Sequence, residues 1–314
     1  MIWKNMEVLI TGGTGSLGKA LTKLLLEKCH PHGIRIFSRD ELKQWEMKQT
    51  LKDQPVSFLI GDIRDRKRLE LACKGVNILI HAAALKQVVA SEDNPLETIN
   101  TNIIGSQNIL YAALENKIDK VIGISTDKAV LPINLYGATK LCMEKLFIKG
   151  NTYSGQRSPR FSICRYGNVI GSRGSVISLF KEQTKTGTFT ITDPKATRFW
   201  ISLKKVAQFI IDRIEKMKGG EIFVPKMPSC EIGEIANAIN PNAGIKVIGL
   251  AQGEKAHEVL VTSEEAERTE IHGDYYIITN QKLKDRQTYK YDSLHNIWKL
   301  SKKEIQTIIM EKTI

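Results

Sequence analysis

Residues 11–18 read TGGTGSLG. They follow a short apolar run at 6–10 and lead into an apolar-periodic stretch at 19–29. The spacing is Gly-x-x-Gly-x-x-Gly on Gly12, Gly15 and Gly18. Glycines here allow a tight turn, close approach of the backbone to a pyrophosphate, and close packing of helix on strand. The helix that starts at this point offers free N–H groups to a phosphate. Glycines alone also punctuate ordinary turns. A strand before them and a helix after them, opening a βαβ unit, predict a dinucleotide site at Gly12, Thr14, Gly15, Ser16, Leu17 and Gly18.

The chain then alternates strands and helices. Apolar runs at 34–38, 56–60, 77–81, 121–124 and 161–164 are separated by helical stretches, among them a long one from Asn94-Pro95 to about Asn116. This predicts an α/β fold with a Rossmann-like, doubly wound parallel sheet. After about residue 165 the alternation is lost. Residues 171–176, 191–202 and 220–229 read as loops, short strands and short helices, and 204–217 and 232–239 as helices. We expect a Rossmann domain over 1–165 that carries the catalytic residues. We expect a smaller C-terminal α/β substrate lobe over 166–314, with some segments returning to the first domain.

The ends of the strands carry the cofactor signals. A strand-two end in an NAD site bears Asp or Glu for the ribose hydroxyls. Here Ser38 and Arg39 stand there, with Lys43 one helical turn on, and a guanidinium suits a 2′-phosphate. NADP is therefore preferred to NAD; the alternative is a solvated Arg39 with Asp40 on the ribose. Asp62 falls where an adenine amino group is held, with Ile63 against the ring, or else it caps the helix starting near Asp65. Ala82, Ala83 and Ala84 let a strand end approach a flat ligand. Lys86 faces either a phosphate or solvent. His81 reads as a satisfied strand-end histidine rather than a catalyst.

Residues 125–140, STDKAVLPINLYGATK, hold the reactive groups. Tyr136 and Lys140 are four apart and share one helix face. An ammonium beside a phenol favours the phenolate and draws its pKa towards neutrality. Such a tyrosine takes a proton from a hydroxyl while hydride leaves the same carbon. Ser125, Thr126, Asp127 and Lys128 stand at the carboxyl end of the fifth strand, where open α/β sheets bind ligands.

Composition narrows the class. The 314 residues carry a formal charge of +12. An anionic substrate or a nucleic acid would account for it, but a solvated basic surface accounts for most of the lysines. No basic run is interleaved with aromatics as a nucleic-acid stacking platform requires. Cys29, Cys73, Cys142, Cys164 and Cys230 are scattered without Cys-x-x-Cys spacing. That argues against zinc and a disulfide framework and fits a cytoplasmic, reducing setting. His30 and His32 read as a loop, so no metal is expected. No stretch nears the roughly 18 unbroken apolar residues of a membrane span. The glycine motif starts so early that no signal peptide is expected.

With the glycine loop and the Tyr-x-x-x-Lys pair placed, the chain resembles the extended short-chain dehydrogenase/reductases that act on nucleotide sugars. SRDELKQWEM (38–47), GDIRD (61–65), HAAALK (81–86), STDKA (125–129), LYGATK (135–140), RYGNVIGSRGSV (165–176) and TRFWIS (197–202) narrow this. They resemble the UDP-N-acetylglucosamine 4,6-dehydratases of the 5-inverting type, which open the pathway to pseudaminic acid. The Asp127-Lys128 pair is the most specific part of the match, and Tyr136 distinguishes the inverting group from retaining, membrane-anchored relatives that tend to have Met there. Gln87, Val89 and Ala251-Gln252 depart from the family pattern.

The resemblance implies a mechanism. Tyr136, helped by Lys140, removes the C4 hydroxyl proton as hydride passes to NADP. Lys128 takes the C5 proton, Asp127 protonates the departing C6 hydroxyl, and hydride returns to C6 with C5 inverted. These roles require Lys128 to be neutral and Asp127 protonated; desolvation favours both, and their mutual attraction opposes both. NADP is recycled and stays bound. Thr126 orients the C4 hydroxyl or the phenol. Asn168, Val169, Arg173, Val176, Thr190, Arg198 and Glu254 are the candidates for the UDP-sugar, with Lys86, Thr126 and Tyr136. A homo-oligomer of dimer units, up to a hexamer, is implied, with no nucleic-acid or membrane partner. The rivals are a nucleotide-sugar 4-epimerase or reductase, which needs no Asp127-Lys128, and a non-catalytic NADP-binding regulator or nucleic-acid binder.

Overall fold

The apolar runs become adjacent strands of one sheet. The computed structural model describes residues 3–155, 158–172, 175–283 and 288–310. Strand β1 (Glu7–Thr11) pairs in parallel with β2 (Gly33–Ser38) on one side and β4 (Ile78–His81) on the other. Outside these lie β3 (Val56–Ile60), β5 (Lys120–Thr126) and β6 (Arg160–Tyr166), all parallel. The order is β3-β2-β1-β4-β5-β6. Such strands are covered on both faces by helices, so they read as unbroken apolar runs; Val8, Leu9 and Ile10 are fully buried. The order reverses between β1 and β4, and in open α/β sheets the ligand crevice opens there. The expected doubly wound fold is present.

The chain returns to this sheet late. Residues Ile222–Pro225 add in parallel beside β6, and Tyr275–Ile278 and Thr269–Ile271 follow antiparallel. Between and around these returns lies the smaller lobe. It has a three-stranded sheet of Asn168–Ile170, Thr197–Ser202 and Ser229–Glu231, and a parallel pair of Thr188–Ile191 and Gly244–Val247. Its own apolar cluster includes Phe180, Phe189, Trp200, Ile235 and Leu300.

The long helix expected from Asn94 is interrupted. It runs as Pro95–Ile99, a wider π-type turn at Asn100–Ile104, and Gly105–Glu115. The cause lies in the turn. The Asn102 amide accepts from Leu85 N–H (2.8 Å) and donates to the Leu85 carbonyl (2.8 Å) and Thr139 Oγ1 (3.0 Å). It latches the segment after β4 to the helix Leu135–Ser154.

A buried charge cluster fixes the carboxyl end of β5. Arg165, at the end of β6, forks onto Glu144 (2.9 and 2.7 Å) and onto Glu265 (2.9 and 3.0 Å), and donates to the Leu260 carbonyl. Ser125 Oγ donates to Glu144 Oε1 at 2.6 Å. Strand β5, the helix Leu135–Ser154 and the turn at 262–265 are thus held by one guanidinium. Arg165→Met leaves two carboxylates buried without their cation, a loss of about 3–5 kcal/mol in stability. The urea unfolding midpoint of the variant against the parent is the measurement.

Candidate functional site

At the switch point the backbones come unusually close. Gly12 has φ +67°, and a Cβ there would lie 2.8 Å from Ala83 Cα. A Cβ on Gly18 would lie 2.3 Å from the Gly13 carbonyl. Both positions therefore exclude a side chain, and helix Ser16–Leu24 starts against the loop with Gly15 as its N-cap. His81, on β4, ties β1 to the helix Gly105–Glu115, with Nδ1 2.8 Å from Thr11 Oγ1 and Nε2 3.1 Å from Ser106 Oγ. Burial, with the Lys140 charge, holds its pKa down to about 3, so it is a neutral strap, as its sequence position suggested.

A cavity of about 630 Å³ opens over these strand ends, within the usual range of ligand pockets. Every residue expected to hold the dinucleotide lines it. Gly12, Thr14, Gly15, Ser16, Leu17 and Gly18 form one wall, Ser38, Arg39, Lys43, Asp62 and Ile63 another, and Ala82, Ala83, Ala84, Lys86, Tyr136 and Lys140 the rest. At the β2 end, Arg39 stands 3.8 Å from Asp62 and Lys43 pairs with Asp40. Burial pushes the Asp62 carboxyl up, but hydrogen bonds from Arg64 and the Arg64 and Arg39 charges outweigh it and hold it below the usual range. Asp65, not Asp62, caps the next helix, accepting from Arg68 N–H. Burial lowers the Lys86 ammonium.

The reactive cluster sits at the end of β5. After Thr126 the chain makes a single 3₁₀ turn, Asp127–Ala129. The helix Leu135–Ser154 docks on it: a Cβ at Gly137 would lie 2.1 Å from the Lys128 carbonyl. Asn134 caps that helix by accepting from Gly137 N–H (2.7 Å) and ties it to the Gly253 carbonyl (2.8 Å). This docking brings Tyr136 to Thr126 and Lys128, and all three line the cavity.

Electrostatics differ from the expectation in two places. Burial raises the Tyr136 phenol to about 12, against the lowering effects of the Lys128 charge and a Thr126 hydrogen bond. Lys140 does not lower it. Its Nζ rests 3.1 Å from Met143 Sδ, and burial brings its own pKa down to about 8 despite Glu144. The second difference is Lys128. Burial alone would neutralise it, as expected, but two carboxylates overcome burial and raise its pKa. One is Asp127, at 3.2 Å; the other is Glu258, at 3.0 Å. Asp127 does move in the expected direction: burial raises it, with Lys128 opposing.

Asp127 is fully buried and does not reach the cavity wall; it lies behind Thr126, whose hydroxyl donates to Oδ1 at 2.9 Å. On the sugar side, Asn168, Val169 and Val176 line the cavity. Thr190, Arg198 and Glu254 do not. Arg198 turns away to the carbonyls of Thr197 and Ala256 and to Glu254 Oε1 (3.0 Å), and Glu254 also accepts from Thr192. A buried guanidinium needs partners, and these loops supply them. Thr190 is held in its strand by Gln183. Arg173 lies outside the described residues. Sequence reasoning passed over Ser172, Ser175 and Trp200 on the wall, and Glu258 behind it. Glu258 stands only one residue before the apolar run 259–261, and that adjacency is the sole local sign that it is buried.

Comparison with known proteins agrees with this geometry. A family model described as polysaccharide biosynthesis protein matches residues 8–280. A protein of Campylobacter jejuni named UDP-N-acetylglucosamine 4,6-dehydratase (inverting) is 44% identical, over 98% of each chain. A Rickettsia bellii protein named UDP-glucose 4-epimerase is 46% identical, over 86% of this chain and 82% of its own. The solved structure of Pen from Bacillus thuringiensis, 35% identical, matches with a TM-score of 0.92 over 99% of this chain and 98% of that one. The chain belongs to the polysaccharide biosynthesis protein family, among the extended short-chain dehydrogenase/reductases that include the inverting UDP-N-acetylglucosamine 4,6-dehydratases.

Proposed function

We propose that this chain is an inverting UDP-N-acetylglucosamine 4,6-dehydratase that recycles a bound nicotinamide dinucleotide. One observation carries the reading: Thr126, Lys128 and Tyr136 line a single cavity with the glycine loop, and Asp127 is directly behind them. Oxidation at C4 needs only Tyr136. Elimination of water across C5 and C6 needs a further acid and base, and Asp127 and Lys128 supply that pair.

The contact of Gly12 with Ala83 leaves a cradle that fits a dinucleotide. When bound, the dinucleotide accepts hydride from C4 and returns it to C6. The residues of the chain handle protons. Tyr136 takes the C4 hydroxyl proton as the phenolate; burial opposes that form, and the Lys128 charge and the Thr126 hydrogen bond favour it. Lys128, the member on the wall, faces C5. Asp127, behind the wall, supplies through the Thr126 hydroxyl at its Oδ1 the proton with which the C6 hydroxyl leaves as water. Arg39 and Lys43 beside Ser38 favour NADP, since a guanidinium forks onto a phosphate. Exposed Val89, Leu96 and Ile104 on the helices before residue 105 suit burial in a homo-oligomer.

A 4-epimerase is the second reading, favoured by the name of the Rickettsia bellii relative. Proton NMR of UDP-N-acetylglucosamine in deuterated buffer separates the two. A new C6 methyl signal, deuterium at C5 and couplings of the inverted sugar are expected; interconversion at C4 with C6 intact selects the epimerase. Lys128→Ala is expected to keep C4 oxidation and to cut methyl formation by roughly 10²–10⁴-fold, followed in the same spectra. Arg39→Ala is expected to weaken NADP binding about tenfold or more, and NAD binding little, as one charge-assisted contact is lost; calorimetric titration of both cofactors measures it.

A further inference from the structure

Lys128 is gripped by two buried carboxylates, and the proposed reaction uses only one. Glu258 is 2% exposed and stands off the cavity wall. Its Oε1 accepts from Lys128 Nζ at 3.0 Å, and Oε2 has no hydrogen-bond partner among the described residues. Asp127 is similar: Oδ1 is 3.2 Å from the same Nζ, and Oδ2 is buried with no hydrogen-bond partner among the described residues. Lys128 is thus shared by two carboxyl groups, and a second cation, Lys255, stands 3.9 Å from Glu258 Oε2. Ionising Asp127 as well would leave a fully buried carboxylate with only a share of Lys128, which is costly.

A lone Asp–Lys pair also has a chemical difficulty. The elimination wants Asp127 with a proton and Lys128 without one. In isolation the amine takes that proton at once, because its affinity is some six pKa units higher. A third group that holds the ammonium lets Asp127 keep its proton. We propose that Glu258 is a positioning residue of the elimination: it holds Lys128 together with Asp127, so that Asp127 keeps its proton, and it receives the Lys128 proton when the substrate is in place. This rests on the dehydratase reading.

Protons balance. At rest the set is a protonated Asp127, an ammonium Lys128 and an ionised Glu258. One proton shifts along the Lys128–Glu258 hydrogen bond and leaves a free amine. The amine takes the C5 proton, and the Thr126 hydroxyl passes a proton to the departing C6 hydroxyl as it takes that of Asp127. C5 is later reprotonated from the set, Glu258 loses its proton, and the proton that Tyr136 took from C4 replaces the one lost in water. The directions of titration agree with the resting state: Lys128 and the Arg198 and Lys255 charges outweigh burial and hold Glu258 below the usual range, whereas Asp127 is raised. The shift of the Lys128 proton to Glu258 runs against them, so it needs the bound substrate to drive it. The charged or titratable groups facing the pair are Lys128 in the 3₁₀ turn, Arg198 on Thr197–Ser202, Lys255 on the same loop as Glu258 (3.9 Å from it) and Tyr136 on the long helix. Ser293 Oγ accepts from Glu258 N–H and fixes its backbone.

Carbon NMR of the full chain labelled at the aspartate carboxyls tests this, with Asp127 assigned by Asp127→Asn. In the parent, Asp127 is expected to titrate above the ordinary aspartate value of about 3.9. In Glu258→Gln, Lys128 has Asp127 as its sole counter-ion, and the proton affinity of Asp127 is expected to fall at least tenfold. With UDP-N-acetylglucosamine the same variant should keep C4 oxidation, lose methyl formation about a hundredfold, and show its alkaline activity limb at lower pH, since the acid is lost as pH rises through a lower pKa. An unmoved Asp127 titration overturns the proposal, as does methyl formation at the parent rate. If Glu258→Gln does not fold, Glu258→Asp takes its place, with a smaller fall expected and no fall overturning. The titration needs no substrate. If Asp127 moves as stated while the parent makes no methyl sugar, the coupling stands and the substrate reading falls.

Discussion

The carbonyl of Lys128 and the α-carbon of Gly137 meet with no room for a side chain between them. This one contact sets the distance between the end of β5 and the start of the long helix. Tyr136 precedes Gly137, and Lys128 owns the carbonyl, so the two residues proposed to move protons at C4 and C5 have their main chains spaced by a direct backbone contact. Rigid elements hold reacting groups more closely than loops do. Asn134, capping the helix and gripping the Gly253 carbonyl, extends the same rigidity to the small lobe.

Charge is buried around this contact on both sides of β5. Arg165 with Glu144 and Glu265 lies on one side, and Lys128 with Asp127 and Glu258 on the other. The two clusters differ in kind. Around Arg165 the carboxylate oxygens are matched to guanidinium N–H groups and Ser125, and the arrangement is static. Around Lys128 two carboxylate oxygens have no hydrogen-bond partner among the described residues. Buried polar groups are ordinarily satisfied, and this exception lies behind residues that line the cavity, where the proposed reaction needs protons to move.

The sheet and the dinucleotide wall were legible because they rest on local signals. Apolar runs, glycine spacing and small residues at strand ends each report their own environment, and all the cofactor positions named from them line the cavity. The sugar side was less legible. Arg198 and Glu254 were named for the UDP-sugar, yet they pair with each other, and Arg198 with nearby carbonyls, a long-range pairing that no local pattern announces. Glu258 is 130 residues from Lys128 in sequence, so nothing near Asp127-Lys128 foretold a second carboxylate. The pKa of Tyr136 misled for the same reason: helical spacing placed Lys140 beside it, but burial dominates, and Lys140 turns to Met143.

The late returns of the chain to the main sheet have a consequence for how the lobes move. Residues 222–225 and 269–278 belong to the large sheet, while 229–261 between them build the small lobe. The polypeptide therefore stitches back and forth between the lobes rather than joining them by a single thread. A hinge that swings a whole lobe open would have to bend every one of these crossings together. Any movement of the small lobe against the large sheet is therefore shared among several crossings rather than carried by one linker.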